Sequence, residues 1–126
     1  MPNFTFLLPA YKKDFLGEAL SGIRHQTYQD FKVLVSDDCS PDDLKTIFDE
    51  TVGDDPRFEY RRNEKNIGGA SLVAHWNQLV DLCDTEFLIM ASDDDIYAPD
   101  FLKEIEGLSR KWSDVDIYRA RARKIN

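Results

Sequence analysis

Several features that would mark other classes of protein are scarce or missing in this sequence. Only two cysteines occur, Cys39 and Cys83. They have neither the spacing of a zinc site nor the density of a disulfide scaffold, and they read as ordinary reduced thiols. No apolar run approaches the ~20 residues needed to span a bilayer, and the N-terminus has no basic segment followed by an apolar one. The chain itself therefore reads as cytosolic. Positive charge is outnumbered, with 16 Lys and Arg against 24 Asp and Glu and a net charge of −8. With no basic stripe to meet a phosphate backbone, nucleic acid is set aside as a partner. Internal repeats, low-complexity stretches and linkers are also absent, so the 126 residues are expected to form one domain around one core.

What is present is an alternation of short apolar runs and amphipathic segments. Residues 3–8 (NFTFLL) predict a strand buried on both faces and stopped by Pro9. Asp14 is placed to cap a helix with Phe15, Leu16, Ala19, Leu20 and Ile23 on its apolar side. Residues 31–36 (FKVLVS) predict a second strand running into Asp37 and Asp38. Ser40, Pro41, Asp42 and Asp43 then form a dense helix start, with Leu44, Ile47 and Phe48 facing inward. Residues 57–61 (RFEYR) alternate, as in a strand nearer the sheet edge. After a turn from Asn66 to Gly69, the next helix is expected to turn Leu72, Val73, Trp76, Leu79, Val80 and Cys83 to one side.

Residues 87–91 (FLIMA) are the most apolar run and predict a central strand, which delivers the chain into Ser92, Asp93, Asp94 and Asp95. Pro99 opens a helix with Phe101, Leu102, Ile105 and Leu108, and residues 117–122 suggest one more strand. Such alternation defines an α/β fold with a mainly parallel sheet covered on both faces, whose ligands bind beyond the carboxyl ends of the strands. Both acidic clusters fall at those ends.

Three adjacent carboxylates straight after a buried strand repel one another, so a cation is expected there. Hard oxygen ligands select Mg²⁺ or Mn²⁺, which are held by one or two carboxylates together with substrate phosphates. An acidic protein that binds a nucleotide diphosphate needs such an ion to screen the repulsion. The competing reading is an acidic helix entry that complements the dipole ahead of Pro99. Asp37 and Asp38 suit hydrogen bonds from a nucleobase ring N–H and nearby amides, or else turn and capping chemistry before Ser40. Tyr11 either covers a base at the sheet's edge or packs. Asn66-Ile67-Gly68-Gly69 can bring amides at a helix start towards phosphate, although it lacks the G-x-G-x-x-G pattern. His25 and His75 share no metal-ligand spacing and read as structural. Arg119, Arg121, Arg123 and Lys124 read as a solvated strand end.

In order and spacing, FLLPAY, HQTYQDFKVLVSDDCSPDD, NEKNIGGA and FLIMASDDDIYAPDFL resemble the successive blocks of glycosyltransferase family 2, over residues 4–118. The resemblance implies a Rossmann-like GT-A fold of three α/β/α layers, here truncated. It also implies transfer of a sugar from a UDP- or dTDP-linked donor to a hydroxyl of a saccharide or lipid-linked acceptor, with inversion. By position, Pro9 and Tyr11 match the block that borders the base. Asp38 matches the carboxylate that receives the uracil ring N–H, with Asp37 beside it, and Asn66 and Gly68 fall in the next nucleotide block. Asp94 falls on the metal-ligand position, and Asp93 takes the nucleotide or ribose contact. Ser92 departs from the family pattern, because many members carry Asp there. A literal Asp93-x-Asp95 register would make Asp95 a metal ligand instead.

Family members are considerably longer, and their general base, an Asp or Glu, lies in the second half. The chain is therefore expected to hold the donor half, to lack the base and to be inactive alone, as a truncated piece or a natural remnant. A location in the cytoplasm, or at the cytoplasmic face of the membrane, is expected, as is a homodimer through the surface the missing half would cover. Three readings compete. A receiver-like signalling module would need an acidic pair where Pro9-Ala10-Tyr11 stands, and a nucleotidyltransferase a basic, Gly-rich loop for which Lys12-Lys13 is a poor substitute. A non-catalytic nucleotide-binding or assembly module remains open.

Overall fold

The computed structural model describes residues 3–124. Strands and helices alternate as β1 (Phe4–Ala10), α1 (Leu16–Arg24), β2 (Phe31–Asp37), α2 (Leu44–Val52), β3 (Phe58–Arg62), α3 (Leu72–Leu82), β4 (Phe87–Met90) and α4 (Phe101–Lys111). The sheet has the order β3-β2-β1-β4, and every pairing is parallel. This is the expected Rossmann-like α/β arrangement. The chain runs outward from β1 through β2 to β3, then returns to the other side of β1 for β4. Strand order thus reverses at β1, and the crevice that forms there lies beyond the carboxyl ends of its neighbours.

Alternation along the strands assigns the layers. Phe4, Phe6, Leu8 and Ala10 of β1, with Phe31, Val33 and Val35 of β2, pack against Leu16, Leu20 and Ile23 of α1, Leu44 and Phe48 of α2, and Leu102 of α4. The intervening residues Leu7 and Leu34 face Leu79 of α3 on the opposite side. Burial on both faces is why the strands read as unbroken apolar runs. Gln26, itself buried, fixes where α4 enters: its Nε2 donates to the carbonyls of Gly22 and Ala98, and its Oε1 accepts from the Leu102 amide at 2.9 Å. That clamp holds the segment following the acidic run against the end of α1.

Several local expectations give way to tertiary constraints. Pro9 does not stop β1, which continues to Ala10 in register with Asp37. The carbonyl of Leu7 accepts from Ala91, so the backbone of Pro9, two residues on, faces the β4 side where β4 has already ended, and no ladder donor is lost. Asp14 does not cap α1, whose N-cap is Phe15 without a side-chain bond. Asp43 caps α2 by accepting from the Thr46 amide, so the helix begins after the Ser40-Pro41 turn rather than at it. Among the described residues β4 is an edge strand, not a central one, and residues 117–122 form no strand. The buried residues of α3 are His75 and Leu79, while Leu72, Val73, Trp76 and Val80 stay exposed. Leu79 of the expected stripe is buried, and beside it His75 bonds to Ser36 of β2.

The ring of Phe6 is fully buried and lies 5.5, 5.4 and 6.4 Å from those of Phe31, Tyr97 and Phe101. Phe6→Ala is expected to cost about 3–5 kcal/mol, read as a lower urea midpoint at unchanged m. A loss under about 1 kcal/mol would mean that this cluster does not hold β1 to α4.

Candidate functional site

The carboxyl ends of β1, β2 and β4 meet at one open cleft of about 460 Å³. Its walls are Pro9–Lys12 from the tip of β1, Asp38 after β2, Asn66, Gly68 and Gly69 before α3, Leu72, His75 and Trp76 on α3, and Ala91–Asp94 after β4.

Asp38 is the junction of this cleft. Its carboxylate Oδ1 accepts from Asn63 Nδ2 at 3.0 Å and from the Ile67 amide at 2.8 Å, and Oδ2 accepts from the Gly68 amide at 2.7 Å. Its own amide donates to the carbonyl of Ala10, and its carbonyl accepts from Asn66 Nδ2. One side chain thereby ties the tip of β1, the end of β3 and the loop into α3. Burial alone would raise its pKa, but the amides of Ile67, Asn63 and Gly68, with His75 nearby, outweigh burial and hold the carboxyl below its usual range. Of its roughly four lone-pair positions, three are taken, leaving an acceptor on Oδ2. The glycines follow from this crowding. A Cβ on Gly68 would stand 2.9 Å from Asp38 Oδ2, and one on Gly69 2.5 Å from Asn66 Oδ1. The amides of Gly68 and Gly69 are bound to Asp38 and Asn66, so this loop organises itself rather than offering those donors to phosphate.

Asp37 and Asp38 part company because successive residues of a strand point to opposite faces. Asp37 is buried on the α2 side, where it accepts from the Ser40 amide, the Tyr60 hydroxyl and Arg62 Nη1. It does not line the cleft, and its role is to brace the β2–α2 turn. The phenol of Tyr60 is pushed well up by burial and by the Asp37 carboxylate.

At the tip of β4, the three acidic residues diverge in the same way. Asp93 Oδ2 accepts from the amides of Tyr11 and Lys12 at 2.8 and 2.9 Å, which locks the ends of β4 and β1 together. Asp94 accepts from the Ser92 hydroxyl and faces the cleft. Asp95 is exposed and contributes nothing to the cleft wall. Tyr11 is half exposed at the rim, beside Lys12. No three acidic, His or Cys side chains among the described residues are grouped to hold a metal ion alone. Two carboxylates beside an open cavity nevertheless fit an ion whose remaining ligands come from substrate phosphates.

Of the residues singled out in the sequence, Pro9, Tyr11, Asp38, Asn66, Gly68, Asp93 and Asp94 come together, and Asp37 and Asp95 do not. Lys12, Leu72 and Trp76 were not anticipated here. The signal for the last two was their four-residue spacing on a helix that starts at the cleft. His75 was expected to be structural; it lines the cleft, its Nε2 pairs with Ser36 Oγ at 3.0 Å, and its Nδ1 lies 3.7 Å from Asp38 Oδ2.

The family described as Glycosyl transferase family 2 matches residues 5–126. The chain is 31% identical over 96 residues to a Campylobacter jejuni protein named GalNAc(5)-diNAcBac-PP-undecaprenol beta-1,3-glucosyltransferase, covering 75% of this chain and 30% of that one. S. aureus TarS 1-349, solved in complex with UDP, superposes with a TM-score of 0.78 at 24% identity, over 90% of this chain and 33% of that one. The mannosyltransferase PcManGT from Pyrobaculum calidifontis, in complex with GDP-Man and Mn²⁺, gives 0.72 at 21% identity over 86% and 32%. The chain thus spans about a third of the length of these relatives.

Burial lowers the pKa of His75 and Arg61 lowers it further, against the opposing pull of Asp38, so the ring gives up its proton at lower pH than a free imidazole. An unfolded His titrates near about pH 6.5, and the folded value is lower, so this contribution to stability is intact above about pH 6.5 and is lost as pH falls towards the folded value. The urea midpoint is expected to drop between about pH 7 and about pH 5.5, and to drop less in His75→Gln. Equal drops in the two proteins would contradict this assignment.

Proposed function

The chain belongs to glycosyltransferase family 2, and from that premise we propose that its cleft holds a UDP- or dTDP-sugar together with Mn²⁺ or Mg²⁺, for inverting transfer to an acceptor hydroxyl. The observation that carries this reading is the convergence of Asp38 and Asp94 on one cavity. In it, Tyr11 and the backbone at Pro9 border the base, and the free acceptor position of Asp38 receives a base ring N–H. Asn66 and Gly68 shape that subsite by holding Asp38 in place. Asp93, fixed by the Tyr11 and Lys12 amides, presents its second oxygen to the ribose. Asp94, on the cleft wall, would hold the ion, and Asp95, off that wall, is set aside as its ligand. Such an ion supplies charge neutralisation for the departing diphosphate.

Lys12 is the cation of the cleft and adds to that neutralisation. Inversion also needs a carboxylate to take the acceptor's proton. Asp38 and Asp93 are engaged by amides and Asp94 is assigned to the ion, so we assign the base to a region outside this donor-binding part. The acceptor is a saccharide or a lipid-linked saccharide, in keeping with the undecaprenol-linked compound named for the Campylobacter jejuni relative. We propose polysaccharide synthesis at the cytoplasmic face of the membrane as its setting. No helix among the described residues is long and apolar enough to cross a membrane.

Calorimetry with UDP and with dTDP, in Mn²⁺ and in EDTA, tests the reading. Weak binding in Mn²⁺ is expected, falling about tenfold or more in EDTA, with Asp94→Ala removing the metal-dependent part. Equal binding in both conditions would contradict the metal assignment. The chain by itself is further expected to transfer no sugar, and measurable turnover of a nucleotide sugar with an added acceptor would overturn the assignment of the base.

A further inference from the structure

We propose that Trp76, backed by Leu72, is the platform on which a pyranose ring rests beside Asp94, so that α3 fixes the position of the reacting sugar. This rests on the donor-site reading above. Leu72 and Trp76 lie four residues apart on one face of α3, both line the cleft, and both are open to it, with 53% and 38% of their surfaces exposed. The helix is not free to rotate them inward. Its start is capped by Ser71, which accepts from the Ala74 amide, and its inner face is pinned by the bond from His75 to Ser36 and by Leu79 against Leu7 and Leu34.

The charged groups of the cleft, Asp38, Asp93, Asp94 and Lys12, can serve a diphosphate and its ion, whereas the indole has no counterpart in that part of the ligand. Tyr11 at the tip of β1 already offers an aromatic surface to a base. A pyranose differs from both, having hydroxyls at its edge and a face of C–H groups. An aromatic face carries negative potential and attracts such weakly positive hydrogens. An indole and a leucine in a cleft that also carries carboxylates therefore suit the two kinds of surface on a sugar ring, and the volume of about 460 Å³ lies within the range of small-molecule sites.

The ring can belong to the donor or to the acceptor, and the test separates them. Trp112, the other tryptophan, lies at the end of α4, so Trp112→Phe leaves Trp76 as the sole indole reporter. Its emission is followed in Mn²⁺ with UDP, then with UDP-glucose, UDP-galactose and UDP-N-acetylglucosamine, and finally with methyl glucoside added to the UDP-loaded protein. Calorimetry of Trp76→Ala and Trp76→Phe runs in parallel.

A donor platform predicts that at least one nucleotide sugar shifts the emission where UDP alone does not, and binds about fivefold tighter than UDP. Trp76→Ala should abolish that advantage at an unchanged UDP affinity, and Trp76→Phe should restore most of it. A shift only with the added glucoside assigns the platform to the acceptor. An emission indifferent to every sugar while UDP binds overturns the proposal and leaves the donor site standing. Failure of UDP and dTDP to bind in Mn²⁺ removes the donor-site reading and the proposal together.

Discussion

The cleft depends on a buried carboxylate that is never left alone. Asp38, 3% exposed, would be a heavy liability without partners, yet amides of Ile67, Gly68 and Asn63 surround it while its own backbone reaches Ala10 and Asn66. Each of those donors comes from a segment that would otherwise be a free loop. The same bonds that stabilise the charge therefore bring β1, β3 and α3 to one point. Asp93 repeats the device on the other side, with the amides of Tyr11 and Lys12 closing β4 onto β1. Two acidic strand ends become a shaped cavity because internal amides, not solvent, satisfy most of their oxygens. What is left over, chiefly Asp94 and the second oxygen of Asp93, faces the cleft.

Much of this was legible in the sequence because burial on both faces leaves a strong mark. The runs of β1 and β2 and the helix between them read correctly, since Phe4, Phe6 and Leu8 feed one layer and Leu7 the other. The site was legible for a related reason: a parallel sheet puts every strand's carboxyl end on the same side, so acidic residues at two such ends must be neighbours once the strands are adjacent or nearly so. Residue order in the family's blocks singled out Asp38 for the base but kept Asp37 beside it as a nucleotide contact, and Asp37 turns out not to line the cleft.

The failures share a cause, which is that local pattern does not know what lies across the sheet. Pro9 was taken as a stop because proline lacks a donor, but β4 is too short to ask for one. The apolar content of β4 suggested a central strand, yet within residues 3–124 only β1 pairs with it. The stripe on α3 correctly put Leu79 inside but also counted Trp76 and Val80 as inner residues, whereas His75, bonded to Ser36, is buried in their place. That last difference matters most for function, since it leaves an indole on the wall of the cleft that also holds Asp94.

The central claim, that a metal ion and a nucleotide meet at the joined tips of β1, β2 and β4, is tested most directly by amide NMR with substoichiometric Mn²⁺ in the presence of UDP. Paramagnetic broadening should concentrate on Ala91–Asp94, Tyr11 and Lys12 and extend to Asp38 and Gly68. Broadening centred instead on another acidic stretch, such as Asp42-Asp43 or Asp114 and Asp116, with these amides untouched, would contradict it.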